Sequence, residues 1–237
     1  GDAPKEADPD AYASQYAHVD VLVIGCGLSG LAAALSAAES GATVVLADEN
    51  AVMGGSLLSE TGIQINGQSG AEWAASTVAR LASMENVTLL SRTTGFGYQV
   101  QNMVCLVERL SEHLPNPAPG AARERLWQVR AKRTILATGA IARHMVYPDN
   151  DRPGVMLASA GQRFLNEFGV AVGQNVALYT AHDSAYQVAH DLHECGVNVV
   201  AVVDTRVKPS AAAEKAKAAG IHVMQNSAVT ATSGRLR

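Results

Sequence analysis

Residues 20–49 read DVLVIGCGLSGLAAALSAAESGATVVLADE, and this stretch decides the fold. An apolar run at 21–24 ends in three glycines with the spacing Gly-x-Gly-x-x-Gly. An alanine-rich segment up to Ser40 predicts a helix. A second apolar run at 44–47 ends on Asp48. The order strand, glycine turn, helix and strand predicts one βαβ unit of a parallel sheet.

The three glycines are typical of a turn that holds a dinucleotide. Gly25 permits the tight turn from strand to helix, Gly27 lets the backbone come close to a pyrophosphate, and Gly30 lets the helix pack on the strand. Free N–H groups at the helix start, from Leu28 and Ser29 onward, then hold the phosphates together with the helix dipole.

Asp48 completes the pattern at the tip of the second strand, 18 residues after Gly30. A carboxylate there accepts hydrogen bonds from ribose hydroxyls, and an aspartate favours a free 2′-hydroxyl over a 2′-phosphate. Because strand, glycines, helix, second strand and acid agree, we expect dinucleotide binding. The alternative is a Rossmann-like unit that has lost its ligand.

The composition is that of a soluble globular chain. Of its 237 residues, 48% are hydrophobic and 17% are charged, which suits one large or two small domains. The formal net charge is −4 without a basic block, which argues against nucleic acid or an anionic membrane surface as a partner. No apolar run predicts a membrane span, and no signal-peptide pattern opens the chain. We therefore expect a cytoplasmic protein.

The three cysteines, Cys26, Cys105 and Cys195, are widely spaced and odd in number. This usage suits a reducing compartment and supplies no disulfide framework. The lack of a Cys-x-x-Cys pair argues against the thiol-redox branch of the flavoproteins. Cys26 lies at a helix start, which would lower a thiol pKa, but we favour a small buried side chain that fills the turn.

A loop with the sequence Gly54-Gly55-Ser56 follows the second strand and Glu49. In flavin-type dinucleotide folds, the loop at this place passes over the ribose and diphosphate of the cofactor, and glycines let its backbone approach. The alternative is a flexible connection. We favour the functional interpretation because of where the pair falls.

Further along the chain, residues 96–110 and 126–130 alternate and predict an antiparallel excursion. Residues 132–139 read KRTILATG and predict a buried strand that breaks at Thr138-Gly139. A turn at the carboxyl end of a sheet strand should lie beside the first glycine loop, where open α/β sheets bind ligands.

A second βαβ unit is predicted between residues 175 and 204. Its turn, TAHDSAY at 180–186, contains no glycine, so a pyrophosphate could not approach this backbone as it can at Gly27. We interpret the second unit as a relic or a modified site. His182, His190 and His193 do not show the spacing of a metal site, and no metal is expected.

These patterns predict an α/β protein: a Rossmann-like FAD/NAD(P)-binding domain with a parallel sheet and an antiparallel β excursion, plus a second, smaller βαβ domain. The predicted regions are an N-terminal extension on the surface at 1–18, the dinucleotide-binding domain at 19–157, and an incomplete second nucleotide-binding-like domain at 158–237. The closing segment of the first domain is expected to be absent.

With these residues laid out, the chain resembles the alpha-subunit family of heterotetrameric sarcosine oxidases, from the end of that subunit's small N-terminal domain. The matching segments are 11–30, 91–110, 125–142 and 149–159. The glycine fingerprint occurs in many families, whereas NDRPGVMLAS at 150–159 and TAHDSAY are more particular.

The resemblance implies a complex that oxidises the N-methyl group of sarcosine, an oxidation at a CH–NH bond. The products are glycine, hydrogen peroxide and a one-carbon unit passed to tetrahydrofolate. It implies beta, gamma and delta subunits as partners, NAD in the first glycine loop, and FMN at the interface with the beta subunit. The cofactor-binding residues expected from position and resemblance are Gly25, Gly27, Leu28, Ser29, Gly30, Asp48, Glu49, Gly54, Gly55, Ser56, Thr138 and Gly139.

Three alternatives stay open at this point. The first site would hold FAD if the chain were a self-contained FAD-dependent NAD(P)H oxidoreductase, although the second turn lacks glycines. Relatives in the same family oxidise opines, proline or glycine. A non-enzymatic assembly domain with a vestigial nucleotide site is the third. No nucleophile–base pair is evident, so no catalytic residue is assigned, and this chain alone should not oxidise sarcosine.

Overall fold

The computed structural model describes residues 5, 6, 8 and 10–234 and has the predicted α/β architecture. It divides into two compact units. The first contains the residues up to Leu57 and Ala71–Gly139, and the second contains Leu58–Gly70 and the residues from Ala140 onward. In the described part of the chain, no helix is long and apolar enough to cross a membrane.

The order of the helices and strands along the chain is β1 (Ala11–Ile24), α1 (Leu28–Glu39), β2 (Val44–Ala47), β3 (Gln64–Ile65), β4 (Gln68–Ser69), α2 (Gly70–Ala82), β5 (Val87–Leu90), β6 (Thr93–Gln99), β7 (Met103–Arg109), β8 (Ala122–Leu136), α3 (Ala158–Phe168), β9 (Asn175–Thr180), α4 (Ser184–Glu194), β10 (Asn198–Asp204), α5 (Ala211–Ala218) and β11 (Val223–Gln225). Helices follow strands in the two βαβ units, whereas β5 to β8 follow one another without an intervening α-helix. Short turns of 3₁₀ helix lie at Gly55–Leu58 and Val100–Asn102.

The first unit is built on a six-stranded sheet with the order β5-β2-β1-β8-β7-β6. Strands β5, β2, β1 and β8 are parallel, and β8, β7 and β6 are antiparallel, which confirms the predicted excursion. The Thr93 N–H donates to the Asp48 carbonyl at 2.7 Å, so the start of β6 returns to the end of β2. The two parts of the sheet enclose an apolar core that includes Leu22, Leu106 and Val129.

Residues 11–18 of the predicted N-terminal extension form the first part of strand β1 and are mostly exposed. Residues 1–4, 7 and 9 lie outside the described residues. Strand β1 begins at Ala11, which pairs with Ala122, and the pairing with β8 continues to Ile24. Backbone hydrogen bonds hold this part, while Tyr12 and Tyr16 stay exposed. Without a buried face the segment lacks the apolar alternation by which a strand is recognised.

The predicted buried strand at 132–139 is also only partly correct. Strand β8 ends at Leu136, whose side chain is 67% exposed, and Lys132 and Arg133 are exposed as well. Successive side chains of a strand point to opposite faces of the sheet. The neighbours Lys132 and Arg133 lie on opposite faces and are both exposed, so neither face of this part of β8 is fully buried.

The second unit contains a three-stranded parallel sheet with the order β11-β10-β9. Helix α4 connects β9 to β10 and buries Val188, Ala189 and Leu192 against this sheet. This is the predicted second βαβ. The unit begins at Ala140, earlier than the predicted boundary at 158, and also takes in Leu58–Gly70.

Leu58–Gly70 is held in the second unit by the buried carboxylate of Asp191 on α4. Asp191 Oδ1 accepts hydrogen bonds from Thr61 Oγ1 at 2.9 Å and Gln187 Nε2 at 2.8 Å. Its Oδ2 accepts from Gln162 Nε2 and Asn166 Nδ2, both at 2.8 Å. Burial would raise the pKa of Asp191, but these hydrogen bonds outweigh it and hold the pKa below its ordinary value of 3.8.

We expect Asp191→Asn to lower the free energy of unfolding by about 2 kcal/mol at neutral pH, because buried donors lose an acceptor. Since the folded-state pKa lies below 3.8, the carboxylate contributes stability above that pH, and the contribution is lost as the pH falls below it. Urea unfolding of both proteins as a function of pH measures the difference. The exposed Asp151→Asn is the matched control and should change stability by less than about 0.5 kcal/mol. A stability gap that stays constant in acid would contradict the assigned role of the charge.

Candidate nucleotide-binding site

The turn between β1 and α1 requires glycine at two positions. Gly25 has a φ of +98°, and a Cβ built there would lie 2.3 Å from the Ala137 carbonyl oxygen. A Cβ on Gly30 would lie 1.9 Å from the carbonyl oxygen of Gly25. The Gly25 N–H donates to the Ala47 carbonyl at 2.8 Å. The turn therefore joins the carboxyl ends of β1, β2 and β8, and it leaves no room for a side chain at Gly25 or Gly30.

At Gly27, by contrast, neither the backbone conformation nor the packing requires glycine. Its φ is −76°, and no atom lies within 4 Å of a Cβ built on it. It is the N-cap residue of α1, and no side chain caps this end of the helix. The first N–H groups of a helix have no acceptor within it, and Leu28 and Ser29 are exposed here. The turn therefore presents N–H donors to open space at the positive end of the helix dipole, which suits a pyrophosphate.

The second pair of glycines packs directly on this turn. Gly55 has a φ of +56°, and a Cβ built on it would lie 2.7 Å from the Cα of Gly27. Gly54 is buried beside it, and Ser56 is exposed at the start of the 3₁₀ turn. The close approach of the two loops agrees with the predicted course of the second loop over the cofactor position.

Asp48 lies at the end of β2 as predicted, but its carboxylate already accepts hydrogen bonds from other groups of the protein. Its Oδ2 accepts from the Cys26 N–H at 2.7 Å. Its Oδ1 accepts from the Asn50 N–H at 2.8 Å and from Asn50 Nδ2 at 2.9 Å. A carboxylate has about four acceptor positions, so roughly one remains for a ribose hydroxyl. The neighbouring Glu49 is exposed.

Cys26 is buried within the turn, in agreement with the interpretation of a small packing residue. Burial raises the pKa of its thiol to about 12, and the nearby Asp48 carboxylate adds to the effect. The thiol is therefore protonated at neutral pH, and the helix dipole does not make it reactive.

Thr138 and Gly139 follow β8 and lie beside the first turn. The Ala137 N–H donates to the Ile24 carbonyl at 2.7 Å, which extends the β1–β8 pairing by one step. The backbone nitrogen of Thr138 lies 3.1 Å from the Cβ position of Gly25. Thr138 and Gly139 are exposed, and Gly139 has a φ of +70°. The predicted residues of the two glycine loops, β2 and β8 thus meet in one place.

Two residues that support the site were not identified from the sequence. Asn50, two residues after Asp48, donates hydrogen bonds to the Asp48 carboxylate from its backbone N–H and its side-chain amide. Arg109 Nη2 donates to the Glu49 carbonyl at 2.7 Å from the end of β7. The Asx-type spacing of Asn50 and Asp48 was a usable local signal. Arg109 is 60 positions away in the chain, and no local pattern indicates its contact.

In the second βαβ, the turn between β9 and α4 satisfies its own polar groups. The Thr180 hydroxyl accepts from the His182 N–H at 3.1 Å and donates to the His182 carbonyl at 2.8 Å. The Ser184 hydroxyl lies 2.8 Å from His182 Nδ1. The start of α4, like that of α1, has no side-chain cap. The two turns differ because the second contains polar side chains where the first has glycines.

At the tip of β10, the carboxylate of Asp204 is also occupied by hydrogen bonds from the protein. Asp204 is completely buried and accepts from the Tyr186 hydroxyl at 2.7 Å and from Arg206 Nη2 at 2.8 Å. The hydrogen bond from Arg206 is the main cause that lowers the pKa of Asp204 to about 2. Arg206 also pairs with Asp183 at 2.8 Å. This arrangement supports the interpretation of a modified site.

His190 and His193 lie on α4, and His182 lies in the turn before it. His190 is buried, whereas His182 and His193 are exposed. Across the described residues, no group of three or more His, Cys, Asp or Glu side chains could hold a metal ion.

Residues 20–113 match the family described as FAD dependent oxidoreductase. The chain is 49% identical over 206 residues to the sarcosine oxidase subunit alpha of Rhizobium meliloti (strain 1021), an alignment that covers 87% of it. It is 47% identical over 226 residues, or 95% of its length, to that of Corynebacterium sp. (strain P-1). The chain is a homologue of sarcosine oxidase alpha subunits.

These alignments cover 21% and 23% of the two sarcosine oxidase alpha subunits, so the chain spans about a fifth of their length. Among solved structures, L-proline dehydrogenase from P. horikoshii is similar, with a TM-score of 0.67 and 26% identity. That match covers 83% of this chain and 38% of the dehydrogenase chain. The expected resemblance and the α/β fold class are both confirmed.

The glycine geometry predicts that two alanine substitutions lower the free energy of unfolding by very different amounts. Gly27→Ala should lower the free energy of unfolding by at most about 1 kcal/mol, because its Cβ meets only open space and alanine is merely a poorer N-cap. Gly30→Ala should cost about 3 kcal/mol or more, because its Cβ collides with backbone. Chemical denaturation of the two variants measures both values. Equal losses would contradict the described turn.

Proposed function

We propose that the glycine turn of the first unit binds the ADP moiety of NAD. The observation that carries the proposal is the open space at Gly27 above the uncapped start of α1. A pyrophosphate would receive hydrogen bonds from the N–H groups there. The exposed Leu28 and Ser29 backbone and the loop of Gly55 would flank it.

The remaining groups fit the nucleoside end of such a ligand. The remaining acceptor position of Asp48 would receive a ribose hydroxyl, with the exposed Glu49 beside it. A bound NAD would supply a nicotinamide able to exchange a hydride, and the residues of this chain would hold and orient it. The full proposed set is Gly25, Gly27, Leu28, Ser29, Gly30, Asp48, Glu49, Gly54, Gly55, Ser56, Thr138 and Gly139.

The chain would act as part of a larger oxidoreductase. We infer a cytoplasmic sarcosine-oxidising complex with beta, gamma and delta subunits that acts on a CH–NH bond and yields glycine, hydrogen peroxide and a one-carbon unit for tetrahydrofolate. FMN would lie at the interface with the beta subunit. Support for this assignment comes from the 43–49% identity to sarcosine oxidase alpha subunits. We do not expect the chain alone to oxidise sarcosine.

FAD in the same turn is the second candidate, and the family match at residues 20–113 favours it. FAD and NAD present the same ADP moiety to the glycines and the acid. An absorbance spectrum of the purified chain, followed by heat release and mass analysis of the nucleotide, separates them. Flavin bands with released FAD would replace the NAD assignment. A colourless protein that releases NAD, or that melts at a higher temperature with NAD, would support it.

We expect Gly27→Ala to remove the NAD-induced rise in melting temperature, because its methyl group would fill the space that the pyrophosphate needs. The variant should still fold, so the loss would be one of binding. Gly173→Ala, whose Cβ would make only ordinary contacts of 3.6 Å or more, is the matched control. An unchanged NAD response in Gly27→Ala would contradict the proposed site.

Asp48 should also make the site prefer NAD to NADP. A 2′-phosphate would face the Asp48 carboxylate, and the repulsion between like charges should weaken NADP at least about tenfold relative to NAD. Isothermal titration calorimetry with the two nucleotides measures the ratio. Equal affinities would show that Asp48 does not face the ribose.

A further inference from the structure

The second unit contains a cavity of about 760 Å³ that the proposed nucleotide site does not use. All of its lining residues belong to the second unit. They come from Leu58–Gly70, the crossover after residue 140, helices α3 and α4, the loop before β9, strands β9 and β10, and the segment after β11. The volume lies within the range of small-molecule sites.

Two glutamines in the cavity wall are fixed in orientation by the carboxylate behind them. Gln162 on α3 and Gln187 on α4 line the cavity, and each donates its Nε2 to Asp191 at 2.8 Å. A carboxylate only accepts hydrogen bonds, so the amide nitrogens must face Asp191. The two carbonyl oxygens therefore point away from it.

These carbonyl oxygens have no partner within the described part of the chain. Gln162 is only 7% exposed, yet its Oε1 is not sealed in the core, because the fully buried unpaired atoms belong to Thr134, Arg152, His190 and Gln225. Gln187 Oε1 lies 3.6 Å from the Cβ position of Gly62, another lining residue. Both acceptors are thus available to a ligand in the cavity.

The charge around these acceptors favours a cation. Asp191 is 5% exposed and receives four neutral donors, and no cationic side chain among the described residues pairs with it. The cavity lining adds the Glu60 carboxylate and the rings of Tyr147 and Tyr179, whose faces attract ammonium groups. Arg143, on the exposed crossover, is the guanidinium in the lining. Two carboxylates therefore oppose one permanent positive charge.

We propose that this cavity binds a small organic amine in its protonated form, with the N–H groups donated to the carbonyl oxygens of Gln162 and Gln187. Asp191 is the positioning residue that orients both amides. The site lies wholly in the second unit and uses none of the glycine turn. Amine binding here therefore does not depend on NAD binding in the first unit.

The test uses the full chain, labelled with ¹⁵N, and three probes of similar size. Butylammonium has three N–H donors and a charge, tetramethylammonium has a charge without donors, and 1-pentanol has one O–H donor without a charge. The side-chain amide signals of Gln162 and Gln187 are assigned by their disappearance in Gln162→Met and Gln187→Met. We expect butylammonium to shift these two signals saturably and the other probes to bind at least about tenfold more weakly.

Each methionine variant should lower the affinity for butylammonium about tenfold, the loss expected for a hydrogen bond to a charged group. Gln174→Met, at an exposed glutamine of the same unit outside the lining, should leave the affinity unchanged. Equal binding of butylammonium and 1-pentanol, unchanged affinity in both lining variants, or no saturable shift would each overturn the proposal. The probe comparison on the unmodified chain decides the question if a variant fails to fold.

Discussion

The approach of Gly30 to the carbonyl group of Gly25 leaves no room for a side chain, and the first unit depends on this contact. It lets α1 begin directly above the end of β1, where Ala137 of the neighbouring chain segment also arrives. Asp48 then fixes the turn from the side by accepting the Cys26 N–H. Because these backbone groups are held, the open donors at Gly27 are already in position before any ligand arrives, and little ordering would be required of them.

The two βαβ units share a topology, and both helix starts lack a side-chain cap, but their turns differ in the side chains they contain. In the first, the space above Gly27 is open. In the second, the Thr180 hydroxyl takes up the His182 N–H, and Arg206 and Tyr186 saturate Asp204. A shared fold therefore does not imply a shared ligand site, because the side chains in the turn decide what can approach the backbone.

Local pattern was enough to predict the βαβ units, the antiparallel excursion and the meeting of the glycine loops, because spacing and turn chemistry act over a few residues. Local pattern could not predict contacts between residues that are far apart in the sequence. The first half of β1 has no buried face, so nothing in residues 11–18 indicated a strand. The hydrogen bond from Thr61 to Asp191 spans 130 positions. Glutamine is mostly a surface residue, so the sequence did not indicate that Gln162 and Gln187 line the cavity of the second unit.

The same long-range bond affects the order in which the chain folds. The second unit needs both Leu58–Gly70 and the residues after Ala140, so the whole of Ala71–Gly139 intervenes between its parts. Closing a loop of that length costs about 4 kcal/mol of chain entropy, unless the intervening residues have already become compact. During synthesis, the first unit is complete once β8 has joined β1. Its early collapse would bring residue 70 and residue 140 within reach of each other, and the second unit could then assemble on a short connection.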